Sequence, residues 1–326
     1  MSHLTTPRPN TGHFSTLEVR PSGPSCGQTS RNIAFAAHHY TDPPNLAGGF
    51  QMLDLQAQMR KGGTGAVRAN IIGSEISASG FRVGVEAWGG AMMRAAEVAW
   101  VECKRGARGC LFGQFDTLSL REDRGGQASA ERLKKPEDGG EVKPVEAPPP
   151  PKQSYSKRFM FPGYFTGKGP LVVICWLNRL DLANTGAGEG TRHFRLRAEA
   201  LDVTRTGLTA RIETWGDGVL AGAAMCWIAL PQSKRHVTCG VFRAEDPEGE
   251  ESGFTGKVKF RKGMFERPPK VVAALNMFDV KAGGRQNALR VKVVMEDLDV
   301  KGFRWRLETW VGPVLPLASV GHIRGS

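Results

Sequence analysis

The chain has 326 residues, of which 40% are hydrophobic and 23% charged, which excludes a single small module and predicts a globular protein of two or three domains. No hydrophobic run approaches the roughly 18 residues of a membrane-spanning helix, and the first ten residues lack the pattern of a signal peptide. The net charge of +12 is spread thinly along the chain, so no basic arm predicts a specific nucleic-acid partner. We expect a cytoplasmic protein, with release that needs no signal peptide as a second option.

Three stretches of the chain carry the same residue types in the same order. Each has a Leu/Phe–Asp pair, then an apolar–Arg pair, a glycine twelve residues after that Arg, and a Trp eight residues after that glycine. The corresponding residues are Asp54, Asp181 and Asp279; Arg68, Arg195 and Arg290; Gly80, Gly207 and Gly302; and Trp88, Trp215 and Trp310. Fixed steps of this kind predict three tandem copies, which occupy residues 1–110, 111–236 and 237–326.

The first copy shows the pattern of two neighbouring strands. Apolar Phe81, Val83 and Val85 alternate with polar or small residues, and the residues around Arg68 alternate in the same way. Period-two alternation is typical of antiparallel strands with one buried face. Arg68 and Trp88 are therefore expected on the polar face of two connected strands.

Residues 121–157 separate this copy from the main part of the second. They are rich in charge and proline and nearly free of large apolar side chains, which predicts a disordered insertion or linker.

The second and third copies repeat the alternation of the first. Their apolar faces contain Leu208, Ala210 and Ile212, and Phe303, Trp305 and Leu307, respectively. The same phase places Arg195 and Trp215, and Arg290 and Trp310, on polar faces. Each copy is thus predicted to expose one Arg and one Trp.

An outward-facing Arg and Trp in every copy allow two interpretations. Large rings bury much area, so the tryptophans could weld the copies together. Alternatively, an indole face stacks on the apolar face of a pyranose while a guanidinium donates to hydroxyl groups, which is the chemistry of a sugar site. Both hold if the site lies where two copies meet.

These residues resemble the H-type lectin family, which includes snail agglutinins and the C-terminal domain of discoidins. The resemblance runs through Phe35, Pro43-Pro44, Leu53-Asp54, Val67-Arg68, Ser79-Gly80-Phe81, Trp88 and Trp100-Val101, and through the corresponding residues of the other two copies. One difference follows the repeated Trp, where snail agglutinins have histidine and this chain has Gly89, Gly216 and Val311.

The resemblance implies an all-β fold of three tandem six-stranded antiparallel β-sandwich repeats that form an intrachain pseudo-trimer. It also implies binding of galactose-type or N-acetylgalactosamine-type glycans at the boundaries between repeats, through Arg68, Trp88, Arg195, Trp215, Arg290 and Trp310. In that geometry an Arg of one copy faces a Trp of the next. The partners are then glycans of glycoproteins or glycolipids, and the pseudo-trimer is a monomer with further self-association left open.

Two other functions remain as alternatives: a structural or adaptor protein without sugar binding, and a weak polyanion binder. Enzyme function is not expected, because GxSxG, HExxH and P-loop motifs are absent from the sequence. Neither cofactor nor metal is predicted, since adjacent His38 and His39 point to opposite sides of a strand and the six cysteines lack zinc-site spacing. Cys175 and Cys226 lie in apolar runs and are expected in the core.

Overall fold

A computed structural model describes residues 10–24, 27–59, 65–107, 109–120, 153–161, 163–184, 192–234, 237–244, 254–282, 287–310 and 317–325, the side chains of 58–59 and 317–325 excepted. These residues form an all-β fold, as the sequence predicts. We call residues 1–110, 111–236 and 237–326 the first, second and third segments.

Nineteen strands and one 3₁₀ helix, Thr16–Glu18, are found in the described residues. The first segment contains β1 (Asn10–Ser15), β2 (Gln28–Ala34), β3 (Asn45–Gln56), β4 (Gln58–Met59), β5 (Gly65–Ser74), β6 (Gly80–Glu86) and β7 (Met92–Cys103). The second contains β8 (Leu111–Asp116), β9 (Ser154–Met160), β10 (Leu171–Asn184), β11 (His193–Thr204), β12 (Gly207–Glu213) and β13 (Gly218–Pro231). The third contains β14 (Val237–Arg243), β15 (Phe254–Lys259), β16 (Lys270–Lys281), β17 (Ala288–Glu296), β18 (Gly302–Glu308) and β19 (Leu317–Gly325).

Burial along β6, β12 and β18 follows the alternation in the sequence. In β6 the side chains of Phe81, Val83 and Val85 are buried, while Arg82 is exposed. Strands β12 and β18 bury their apolar residues with the same phase. Cys175 and Cys226 are buried free thiols of the core, as predicted. The predicted strands and their buried faces are therefore confirmed, but Trp88, Trp215 and Trp310 lie just beyond the ends of β6, β12 and β18 rather than on these strands.

Three antiparallel sheets are built, each from strands of two segments. Their strand orders are β1-β7-β3-β17-β18-β15, β2-β6-β5-β10-β13-β8 with β4 beside β5, and β14-β19-β16-β11-β12-β9. Each segment thus divides its strands between two sheets, three in one and three in the other, with the short β4 as a fourth strand in the first segment's second group. Aromatic rings bridge the two halves, as where Phe81 of β6 meets Trp100 of β7 edge to face, with centroids 5.3 Å apart. Such packing of two sheet halves around a shared apolar core is a β-sandwich.

One boundary of the predicted insertion is wrong. Residues 121–152 lie outside the described residues, but Ser154–Met160 form β9, which pairs along its whole length with β12. The side chains of Tyr155 and Phe159 are half-buried against the core, so this end of the charged stretch contributes apolar surface to the sandwich. A composition window that averages over proline and charge conceals such a short edge strand.

Strands β3, β10 and β16, one from each segment, meet at a central axis. Here Gly49, Trp176 and Ala274 share one space: a Cβ on Gly49 would stand 2.5 Å from Cβ of Trp176 and 2.7 Å from that of Ala274. Trp176 is only 1% exposed and is among the largest fully buried side chains described. One large indole therefore fills the axis because the two facing positions are small.

Candidate functional site

The repeated Arg and Asp residues meet where the segments join. We call the pairing of β5 with β10 the first seam, that of β11 with β16 the second, and that of β17 with β3 the third. At each seam an Arg stands directly opposite an Asp of the other segment. Nε donates to the carboxylate over 2.9 Å in Arg68–Asp181, 3.0 Å in Arg195–Asp279 and 2.9 Å in Arg290–Asp54.

These ion pairs are largely sheltered from water. The side chains of all six residues are only 12–18% exposed. Each Arg loses hydration at such a position, and the facing carboxylate together with its hydrogen bond compensates for that loss. Because the Asp takes the Nε–H, the Nη groups of Arg68 and Arg195 extend beyond the pair, toward the turn that carries the repeated Trp.

That turn follows β6 in the first segment and β12 in the second. Nη1 of Arg68 donates to the carbonyl of Gly89 over 2.9 Å, directly after Trp88. In the second segment Nη1 of Arg195 donates instead to the carboxylate of Asp217, over 2.5 Å. The Arg and the Trp turn of one segment are therefore held together by polar contacts.

Glycine after the Trp is a requirement of this contact. Gly89 and Gly216 have φ of 59° and 64°, in the left-handed region that favours glycine. A Cβ would also stand 2.7 Å and 2.5 Å from Nη1 of Arg68 and Arg195, respectively. Glycine after these two tryptophans thus allows a close approach of the guanidinium to the backbone. The third equivalent, Val311, lies outside the described residues.

The predicted partnership of Arg and Trp between copies is wrong for the repeated Arg. Arg68 and Arg195 contact the Trp turn of their own segment, and the neighbouring segment supplies the Asp. The reason is hairpin register: β5 and β6 are connected neighbours with Asn70 opposite Glu86, so position 68 faces the region of residue 88. A different Arg joins the segments at the first seam, where the guanidinium of Arg179 lies 5.8 Å from the ring of Trp88.

Arg179 was not singled out by the sequence, because the other two segments have Met52 and Met277 at its position. In the structure its Nη1 contacts both carboxylate oxygens of Asp116, over 2.8 and 3.0 Å. This charge-assisted contact fixes the guanidinium beside Trp88. The first seam therefore combines an indole of one segment with a cation of the next.

The second seam has a different set of polar neighbours. The ring of Trp215 lies 5.8 Å from the guanidinium of Arg197, in its own segment. Nδ1 of His193 contacts the second oxygen of Asp279 at 2.6 Å. Arg197 and Arg211 alternate with Glu199 and Glu213 in a network of ion pairs across β11 and β12. Trp215 therefore lies beside a surface on which positive and negative side chains pair with one another.

The third seam leaves its Trp most open to solvent. Trp310 is 40% exposed, whereas Trp88 and Trp215 are half-buried. Close to the Arg290–Asp54 pair, Nζ of Lys292 donates to Glu97 over 2.9 Å. Burial favours the neutral form of Glu97, but hydrogen bonds and charges of His13 and Lys292 outweigh that effect and lower its pKa.

The first and second seams place a guanidinium beside an aromatic ring, which suits neutral, hydroxyl-rich ligands. Among the described residues, no group of three or more His, Cys, Asp or Glu side chains is placed to hold a metal ion. Within the same part of the chain, no helix is both long and apolar enough to cross a membrane.

Comparison with known protein families gives one match. Residues 156–230 and 255–321 match the model of the H-type lectin domain. The two ranges include Arg195 and Trp215 of the second segment and Arg290 and Trp310 of the third. Neither the curated proteins nor the solved structures contain a significant match to the chain.

Proposed function

Since the chain belongs to the H-type lectin family through residues 156–230 and 255–321, we propose that it is a carbohydrate-binding protein without enzymatic activity whose ligands bind at the three seams. The single observation that carries this proposal is the recurrence, at each seam, of a repeated Arg held by an Asp of the neighbouring segment. A half-buried or exposed Trp follows the neighbouring strand in all three segments.

We assign a separate task to each side chain of a seam. The Asp fixes the guanidinium through Nε, so the remaining Nη–H donors keep a constant direction toward a ligand hydroxyl. The indole offers a flat apolar face for the C–H side of a pyranose. Galactose and N-acetylgalactosamine are the ligands that we propose, because the family resemblance implies them.

We further propose that the three segments act as one covalent pseudo-trimer. This is supported by the way each segment divides its strands between two sheets, and by the cyclic order in which the Arg of one segment meets the Asp of another. The first segment lies outside the range matched to the family, so its inclusion rests on this pairing. A fused arrangement keeps three sites at fixed spacing.

Multivalency is the expected source of useful affinity. A single small sugar offers few atoms, so each seam should bind with about 4 to 5 kcal/mol, which corresponds to high micromolar to millimolar dissociation constants. Three fixed sites increase the avidity for a glycan-covered surface by about two orders of magnitude. Agglutination of cells is the expected consequence.

The test is to replace Trp88, Trp215 and Trp310 together by Ala and to measure binding to a glycan array. We expect binding to fall below detection while the melting temperature changes little, because none of these rings belongs to the buried core. Replacement of the same three residues by Phe is the matched control, since it retains an aromatic face and should keep part of the binding. Full binding by the Ala variant would remove the site assignment.

One result would instead support the structural alternative. If the tryptophans only weld the segments, the Ala variant should lose several degrees of melting temperature, and competition by free galactose should not affect the original chain. A ligand competition and a melting curve on the same samples separate the two functions.

A further inference from the structure

Three corresponding turns lie at the ends of the strands opposite the Trp turns, between β5 and β6, β11 and β12, and β17 and β18. Their backbones are alike: Glu75, Asp202 and Asp297 adopt φ of 53°, 48° and 51°, in the left-handed region. Two residues after each of them, the side chain of Ser77, Thr204 or Asp299 accepts hydrogen bonds from the backbone of the turn. A difference in function between the three turns must therefore come from their other side chains.

The charge at the third turn differs from that at the first two. It is surrounded by Lys257, Lys259, Lys301 and Arg304, all exposed. The corresponding residues are Asn32, Ala34, Ser79 and Arg82 in the first segment and Arg158, Met160, Thr206 and Thr209 in the second. The third turn thus has four cations at positions where each of the other two turns has one, although the backbone geometry is the same.

These cations line a hollow of about 290 Å³ between β15 and the turn, with Val258 and Phe303 as its apolar part. Of the two carboxylates in the lining, Asp297 pairs with Arg304, and Asp299 accepts from the backbone N–H groups of Lys301 and Gly302 over 2.7 and 2.9 Å. Among the described residues, the three lysines have no carboxylate partner within ion-pair distance. The positive charges of these lysines are therefore available to bind an anionic ligand.

We propose that this hollow is a second, separate binding site that takes a sulfate or carboxylate group of an acidic oligosaccharide. Strand β18 separates it from Trp310 of the third seam, a distance of about 25 Å at 3.3 Å per residue, so one small sugar cannot occupy both. A sulfated or carboxylated unit matches three convergent ammonium groups through charge-assisted hydrogen bonds. The volume is near the lower limit of small-molecule sites, which fits one or two sugar units.

The shape favours an oligosaccharide over other polyanions. A nucleic acid is held by a basic groove that tracks several consecutive phosphates, whereas this charge is confined to one hollow. A lipid surface is flat and does not fill a concavity.

The experiment measures binding of a heparin hexasaccharide to the full chain, with a desulfated and N-acetylated hexasaccharide of the same length as the comparison ligand. The variant Lys257→Gln, Lys259→Gln, Lys301→Gln removes the three unpaired charges. The matched control removes the same charge elsewhere, by Lys104→Gln, Lys157→Gln, Lys168→Gln, three exposed lysines outside the hollow.

We expect the hollow variant to bind the sulfated hexasaccharide at least tenfold more weakly, with a flatter dependence of affinity on salt, and the control to change by less than threefold. The variant of the three tryptophans should retain this binding, which separates the failure of this proposal from that of the seam sites. Equal losses in both lysine variants, no loss in the hollow variant, or equal binding of the desulfated ligand would overturn the proposal. So would tighter, lysine-dependent binding to phosphatidylserine vesicles than to the hexasaccharide.

Discussion

The central axis and the seams differ in the residues that the segments contribute, although both join the same three segments. At the seams the three segments carry identical residues, an Arg opposite an Asp each time. At the axis they carry three different residues, Gly49, Trp176 and Ala274. Each of the three seams joins two segments, so the same Arg–Asp pair can be used at all three. The axis is a single space shared by three positions, and only their summed volume matters there.

The difference indicates what a fused chain permits. Three separate identical subunits would carry the same side chain at all three axial positions, and three indoles would not fit a space that a Cβ on Gly49 already overfills. A single chain can place one large residue in the second segment and shrink the other two. Variants of the axis and of the seams therefore test two kinds of complementarity.

The largest effect is expected at the axis. Trp176→Gly should cost about 3 to 5 kcal/mol, because it leaves a large cavity, and Gly49→Trp should also destabilise, because it overfills the same space. Their combination moves the indole from one segment to another at equal total volume. We expect the double variant to recover roughly half of the summed loss, measured as free energy of unfolding in urea.

The control for this exchange uses another buried Trp. Trp227 lies in the core of the second segment rather than in the axial cluster, so Trp227→Gly combined with Gly49→Trp should show no recovery. Recovery in both combinations, or in neither, would contradict the shared-volume interpretation.

A smaller effect is expected at the seams, and it should differ between them. Asp54→Asn removes the carboxylate that Arg290 contacts at the third seam and should cost about 2 kcal/mol, as partly buried charge-assisted hydrogen bonds do. Asp279→Asn should cost about half as much, because Arg195 retains Asp217 and the remaining side-chain oxygen can still contact His193. Equal losses in urea unfolding would indicate that the second carboxylate gives Arg195 no support.

The variant Asp54→Asn also tests the proposed function. If the Asp only orients the guanidinium, Asp54→Asn should reduce binding of galactose at the third seam without abolishing it. Measurements in a chain with Trp88→Ala and Trp215→Ala isolate that seam.

The smallest effect concerns Glu97 beside the third seam. Its folded-state pKa is lowered, so its contribution to stability is present above the unfolded pKa and is lost as the pH falls through the lower folded value. Glu97→Gln should therefore cost less than about 1 kcal/mol at pH 7 and nothing at low pH. Urea unfolding at pH 7 and pH 3 checks this, with Glu86→Gln as the control, since among the described residues Glu86 accepts from the neutral amide of Asn70 and pairs with no cation.

Much of the local structure could be predicted from the sequence. The alternation around Phe81, Leu208 and Phe303 predicts the strands and their buried faces, because a half-buried strand imposes period two on its residues. The fixed step from Arg68 to Gly80 predicts the neighbouring strands that bring Arg68 close to Trp88, although Trp88 itself lies in the turn after β6. These are short-range relations, and the backbone geometry within one hairpin determines them.

Relations between distant residues could not be predicted in the same way. The recurrence of Asp54, Asp181 and Asp279 was visible, but nothing in a linear pattern shows that each faces an Arg of a different segment. Arg179 occurs once and carried no repeat signal. Around the third turn, Lys257 and Lys259 lie more than forty residues before Lys301, and together they add little to a charge that is spread over the chain.

The sequence by itself determined the type of fold and its threefold recurrence of residues, because local periodicity and composition reflect which faces are buried. Only the tertiary structure decided which Asp holds which Arg, which Trp that Arg accompanies and how one indole fills the axis. Those pairings depend on strand register between segments and on the volume that three chain positions share, and both are properties of the assembled sheets.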